Sequence, residues 1–202
     1  MERCSTAVGS RLAARIRALR ADRGLTLDAL SERAGVSRSM VSLIERAESS
    51  PTAAVLDRLA GGLGVTLAAL FADGPRPDPS PVARRADQPV WRDPETSYLR
   101  RNLSPPGGPS SVELVEVELP PGARVAYDTG PRAVAVSQQI WIMEGQLALT
   151  VGTESYELGP GDCLAMRVDA PIVFRNVLDR PARYLVALVA EPPLGARGGG
   201  PR

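Results

Sequence analysis

The chain has 202 residues, 44% of them hydrophobic and 4% aromatic, with a net charge of +1. That length allows two small domains with cores built mainly from Leu, Val, Ala and Ile. The two cysteines, Cys4 and Cys163, lie too far apart to form a ligand pair or a disulfide framework, and no apolar run approaches the ~20 residues of a bilayer span. With no apolar signal region at Met1, the expected setting is the cytoplasm. All 24 basic residues are Arg, which reads as the coding usage of a high-GC genome, and they are unevenly spread. Residues 1–50 carry nine Arg against six Asp and Glu, a modest excess of the sign that suits a polyanionic partner.

In chain order, the first stretch predicts five short helices. Leu12, Ile16 and Leu19 fall at helical spacing behind Ser10 as N-cap, and Gly24 ends that helix. Thr26 caps a second helix with Leu27, Leu30 and Ala34 on its buried side and Asp28 in its first turn. After Gly35, Ser37 caps a third helix running through Arg46, with Val41 and Ile44 inward. Pro51 and Thr52 open a fourth that carries Val55, Leu56, Leu59 and Leu63. Thr66 starts a fifth with Leu67, Leu70 and Phe71. GPRPDPSP, residues 74–81, has four prolines and no periodicity, the composition of a semi-rigid linker.

Beyond Trp91 the period becomes two. SVELVEVELP alternates strictly, and AVAVSQQIWIMEG, QLALTVG, CLAMRV, IVFRNV and ARYLVALVA follow with Gly or Pro turns between them. Many short strands without intervening helices predict an all-β sandwich or barrel. PPLGARGGGPR, residues 192–202, reads as a disordered tail.

The segment TLDALSERAGVSRSMVSLIERAESSPT joins two helices through a tight turn at Gly35, a geometry that can lay the second helix in a major groove. With RIRALRADRG before it and SPTAAVLDRLAGGLGV after it, this region resembles the lambda-repressor-like, or xenobiotic-response-element, helix-turn-helix family. The resemblance covers about residues 10–71. It implies a helix-turn-helix domain over 8–73 and a double-stranded DNA operator as partner. It places Ser37, Arg38, Ser39, Ser42 and Leu43 on the exposed face of the recognition helix, with Arg46 at its end. Arg38 is the candidate base reader, because its fork matches guanine O6 and N7. Thr26, Ser37 and Thr52 sit where hydroxyls and helix N-termini meet phosphates, and each also serves as a cap. Leu27 stands where many relatives carry Gln, removing a polar DNA contact. Ala47 replaces a common Gly after the third helix, which reshapes a turn. Arg20 and Glu45 match positions that form a buried ion pair in family members.

Residues 82–191 resemble a cupin, a small jelly-roll barrel, through IWIMEGQLALTVGTESYELGPGDCLAMRVDAPIVFRN, with its Glu-Gly turn, Pro-Gly-Asp turn and terminal Asn176. Metal-binding cupins supply His residues and a Glu from two motifs. Here the Glu position falls on Gln138 and the last His position on Ile172. The first His pair falls near Pro131 and Ala133, or Arg132 and Val134. The protein contains no His. No metal cofactor and no catalytic set is therefore expected. If Gln138 faces inward, alternation turns Val134, Val136, Ile140 and Ile142 inward too, with Met166 and Ile172 opposite. Tyr127, Val136, Gln138, Ile140, Met166, Ile172 and Arg175 are the candidate ligand-binding residues, if the barrel is not simply a filled core. The resulting expectation is a non-enzymatic, homodimeric DNA-binding regulator. It has a degenerate cupin barrel for dimerisation and for a small organic effector, and no membrane attachment. The alternatives are a cupin enzyme that controls its own expression and an antitoxin-like regulator that holds a partner protein.

Overall fold

The computed structural model describes residues 2–72, 80–107, 110–129 and 134–191. Most of the 74–81 segment, the 192–202 tail and the candidate His positions at 131–133 lie outside the described residues.

Four α-helices come first: α1 (Glu2–Asp22), α2 (Leu27–Ala34), α3 (Arg38–Glu45) and α4 (Ala53–Leu63). Their boundaries follow from capping chemistry. The side chains of Thr26, Ser37 and Thr52 accept hydrogen bonds from the amides of Ala29, Met40 and Val55, satisfying donors that the first helical turn leaves free. Gly35 and Gly64 close α2 and α4 in the left-handed conformation. Ser10, expected as the first cap, lies inside α1, because the helix starts eight residues earlier, at Glu2. The apolar spacing at Leu12, Ile16 and Leu19 marks only the packed part of that helix. The fifth helix is a single 3-10 turn, Ala68–Leu70. Thr66 Oγ1 accepts the Ala69 amide at its start, but three residues are too few to close an α-helical turn. Leu30, Ala34, Val41, Ile44, Leu56, Leu59 and Leu63 are buried as expected, whereas Leu27 and Val55 are only half-buried.

The rest is antiparallel β-structure: β1 (Val90–Arg92), β2 (Leu99–Asn102), β3 (Val112–Leu119), β4 (Arg124–Tyr127), β5 (Ala135–Glu144), β6 (Leu147–Val151), β7 (Glu154–Leu158), β8 (Cys163–Arg167), β9 (Ile172–Arg175) and β10 (Ala182–Glu191). One sheet runs β1-β2-β3-β10-β5-β8 and the other β4-β9-β6-β7. The last strand inserts between β3 and β5, pairing Val186 with Val115 on one side and Ile140 on the other. Period-two burial then aims Val115, Val117, Ile140, Ile142, Val186 and Leu188 at Leu147, Leu149, Ile172 and Phe174 of the facing sheet. This is a cupin-like β domain.

Two residues of the cupin texture have clear structural reasons. Gly145 adopts φ +82°, and a Cβ there would lie 2.8 Å from the Pro181 carbonyl oxygen, so the turn after β5 admits no side chain. Asn176, fully buried, donates from Nδ2 to the carbonyls of Leu119, Pro120 and Arg180 and accepts the Leu178 amide, tying the β9–β10 loop to the turn after β3.

Candidate DNA-binding face and interdomain cavity

The recognition helix α3 is held against α1 by one ion pair. Arg20 Nε and Nη2 donate to Glu45 Oε1 and Oε2 at 2.6 and 2.8 Å, and Nη1 donates to the Leu25 carbonyl at 2.8 Å. Both side chains are largely out of solvent, at 18% and 7% exposure. A forked, two-bond pair fixes orientation as well as distance. The turn that follows α3 keeps the left-handed shape usual for Gly, but with Ala47 at φ +57°. The turn is thus not reshaped, and the Cβ bears a strain of about 1–2 kcal/mol.

Ser37, Arg38 and Ser39 are exposed at the N-terminal end of α3, while Ser42 and Leu43 are half-buried. Neither of the two arginines on this face stands alone. Arg38 Nε lies 2.9 Å from Asp28 Oδ1. Arg46 donates Nε and Nη2 to Glu48 at 2.9 and 2.8 Å and Nη1 to Ser42 Oγ at 2.6 Å. These bonds hold the Glu48 carboxyl below its usual range. Asp28 and Glu48 were not anticipated as parts of this face. The hydroxyls of Thr26, Ser37 and Thr52 accept helix amides; that of Ser37 also lies 3.2 Å from the Ser39 hydroxyl, while the O–H protons of Thr26 and Thr52 can donate outward.

The helical domain packs onto the end of the β domain. Ala53, the first residue of α4, donates its amide to Asp93 Oδ1 at 2.7 Å in a buried bond. The other oxygen of Asp93 accepts from the amides of Glu95 and Thr96 and from the Thr96 hydroxyl. Asn102 Nδ2 donates to the Ala68 carbonyl, and Thr66 Oγ1 donates to Glu113 Oε2 at 2.5 Å. Burial pushes the Glu113 carboxyl up, against the opposing pull of the Thr66 bond and of Arg100. Six of the eight aromatic residues (two Phe, two Trp and four Tyr) form a continuous path inward from this junction. Phe71 meets Trp91 at 5.6 Å and Trp91 meets Tyr98 edge-on at 5.9 Å. The hydroxyls of Tyr98 and Tyr127 are 2.9 Å apart, Tyr127 meets Phe174 edge-on, and Phe174 stacks on Tyr184.

The path ends on a cavity of about 60 Å³ whose wall comes from both domains. Asp57, Thr66 and Leu67 cover it from the helical side. Arg100, Tyr127, Gln138 and Tyr184 supply further polar groups from the β side, among Val117, Val136, Ile172, Val186 and Leu188. Burial raises the phenols of Tyr127 and Tyr184 well above their usual range, so both are neutral hydrogen-bonding groups.

Of the ligand-binding residues expected from sequence, Tyr127, Val136, Gln138 and Ile172 meet at this cavity. Ile140 is fully buried in the core but does not line it. Met166 pairs with Gln138 across β8 and is half-buried outside the wall. Arg175 is exposed, because its position in β9 alternates away from the inward-facing Phe174. Arg100, Thr129, Tyr184 and the helical-side residues were missed. The Glu and last His positions of the cupin motifs, Gln138 and Ile172, share the cavity wall, and neither side chain is a metal donor of the required type.

A helix-turn-helix family profile matches residues 16–70. The chain is 33% identical over 112 residues to an immunity repressor protein of Bacillus phage phi105, covering 50% of this chain and 75% of that one. It is 28% identical to the HTH-type transcriptional regulator SutR of Escherichia coli, over 82% of this chain and 86% of the relative. A crystal structure of an HTH_3 family transcriptional regulator from Vibrio cholerae superposes with a TM-score of 0.73 at 26% identity, covering 92% of this chain and 98% of that one. The similarity to that structure therefore runs through both the helical and the β part. The chain belongs to the lambda-repressor-like helix-turn-helix family, the DNA-binding proteins of transcription regulation.

Proposed function

We propose that the chain is a non-enzymatic regulator that reads a two-part operator as a two-fold dimer, and that a small organic molecule in the interdomain cavity alters that reading. Residues 8–73 form the DNA-binding unit and 82–191 a jelly-roll, cupin-like barrel that dimerises and senses. In the DNA-binding unit, Arg38 reads a base, Ser39, Ser42 and Leu43 face the groove, and Thr26, Ser37, Arg46 and Thr52 meet phosphates. The carrying observation is the shared cavity wall: Asp57, Thr66 and Leu67 on one side, Arg100, Tyr127 and Gln138 on the other. A guest touching both domains gains different contacts when one shifts against the other. That difference is the whole of what it can contribute to DNA affinity.

The same geometry supports a metal-free site. At the Glu and last His positions of the cupin motifs stand an amide and an aliphatic chain. Trp141, 46% exposed on β5, supports a barrel-to-barrel dimer, since a large aromatic on an outer sheet face is a natural interface anchor. The test is Val136→Phe, which fills the cavity without touching the DNA face. It should change operator affinity several-fold while leaving the recognition helix intact. Unchanged affinity, with the cavity shown to be filled, would refute the coupling.

A further inference from the structure

We propose that the guest of the interdomain cavity is a small monocarboxylate with a short apolar tail, its carboxylate taken by Arg100. The inference rests on the sensing reading only for its effect on DNA; binding itself is a separate claim.

Arg100 sits in β2 and is 7% exposed. A guanidinium stays charged at any working pH, and a buried charge without a counter-ion is costly. Among the described residues its only hydrogen bond is a long one, Nη1 to Tyr98 Oη at 3.4 Å, and its Nε has no partner. Among the described residues no carboxylate lies within ion-pair distance of it. Elsewhere in this protein Arg20, Arg46 and Arg183 all find carboxylates at 2.6–2.9 Å. Arg100, the buried arginine among the described residues, has no such partner there and lines the cavity. Its open donors match the geometry of a carboxylate. Tyr127 and Tyr184, kept neutral by burial, add hydroxyl groups beside it, and Gln138 an amide.

The remaining wall sets charge and size. Glu113 lies in the field of Arg100, so a dianion such as phosphate meets repulsion that a monoanion meets less. Val117, Val136, Ile172, Val186 and Leu188 suit a hydrocarbon tail. A cavity of about 60 Å³ limits the guest to a few heavy atoms, the short end of the carboxylate series.

The experiment is calorimetric titration of the full chain with propionate and butyrate, their neutral amides, hexanoate, and inorganic phosphate and sulfate. The acids should bind at least ~10-fold more tightly than their amides, because only the ion makes charge-assisted bonds, and hexanoate should be excluded by size. Arg100→Met should abolish the preference for acid over amide, and Tyr127→Phe, which keeps the ring packing, should weaken acid binding by a smaller factor. If Arg100→Met does not fold, the acid–amide comparison and Tyr127→Phe decide the matter. Equal binding of acid and amide, tighter binding of phosphate or sulfate, or no acid binding overturns the proposal. Acid binding that leaves DNA affinity unchanged keeps this site and refutes the sensing reading. A neutral guest that shifts DNA affinity does the reverse.

Discussion

Asp28 Oδ1 lies 2.9 Å from Arg38 Nε, so the side chain best placed to read a base is paired with a carboxylate on the preceding helix. Both are exposed, at 69% and 64%, and such a pair is weak. DNA therefore competes for Arg38 at small cost, but Asp28 also brings a negative charge close to the phosphates. Asp28→Asn should tighten binding to every duplex by up to about fivefold. Arg38→Ala should instead lose about 1–3 kcal/mol of discrimination at one base step. Fluorescence anisotropy on an operator and its single-base variants separates the two. A uniform loss for Arg38→Ala would make it a phosphate contact.

The Arg20–Glu45 fork gives a stability prediction. Arg20→Ala strands Glu45, 7% exposed, without its partner and frees the Leu25 carbonyl. Breaking a buried pair costs about 3–5 kcal/mol, and the 18% exposure of Arg20 places the loss near the lower end. An unchanged melting transition of the helical part would contradict the pair's structural role.

Asp93 is 1% exposed and joins the start of α4 to the loop after β1. Asp93→Ala leaves the buried Ala53 amide and the half-buried Thr96 amide unpaired, at about 1–3 kcal/mol for the buried group. The two parts of the molecule should then melt in separate calorimetric transitions where the native chain melts in one. A single transition at the native temperature would show that the junction does not depend on Asp93.

The legible part of this molecule was the part governed by spacing. Capping hydroxyls at Thr26, Ser37 and Thr52, apolar helical faces and the alternation of β3 and β5 all appear in the sequence because local physics dictates them. β2 was not legible. LRRN reads as a polar connection, since no local rule says that Arg100 is buried beside tyrosines from other strands. Arg175 failed for the converse reason: Ile172 and Phe174 of the same strand face inward, and alternation turns Arg175 to solvent. The junction at Asp93 and Glu113 depends on contacts 40 and 47 residues apart, beyond any local pattern.

Glu113 predicts a pH dependence. Its folded carboxyl is raised above the usual 4.5, chiefly by burial, while Thr66 and Arg100 pull it down. The native state thus holds the proton more tightly than the unfolded chain. Stability from this group is present below the unfolded value and is lost as pH rises from there through the folded value. Glu113→Gln should flatten that decline and be at least as stable at neutral pH. Urea midpoints between about pH 4 and 8 check this. A variant with the native slope would show that Glu113 ionises without cost.

Selection from a randomised duplex pool by the purified full chain, followed by sequencing, tests the central claim most directly. One enriched motif made of two inverted half-sites about one helical turn apart is expected, matching a two-fold dimer. Trp141→Asp should reduce the motif to a single half-site, and Arg38→Ala should lose preference at one symmetric pair of positions. No enrichment over the starting pool, or the same motif from Arg38→Ala, would contradict a recognition helix that reads sequence through α3.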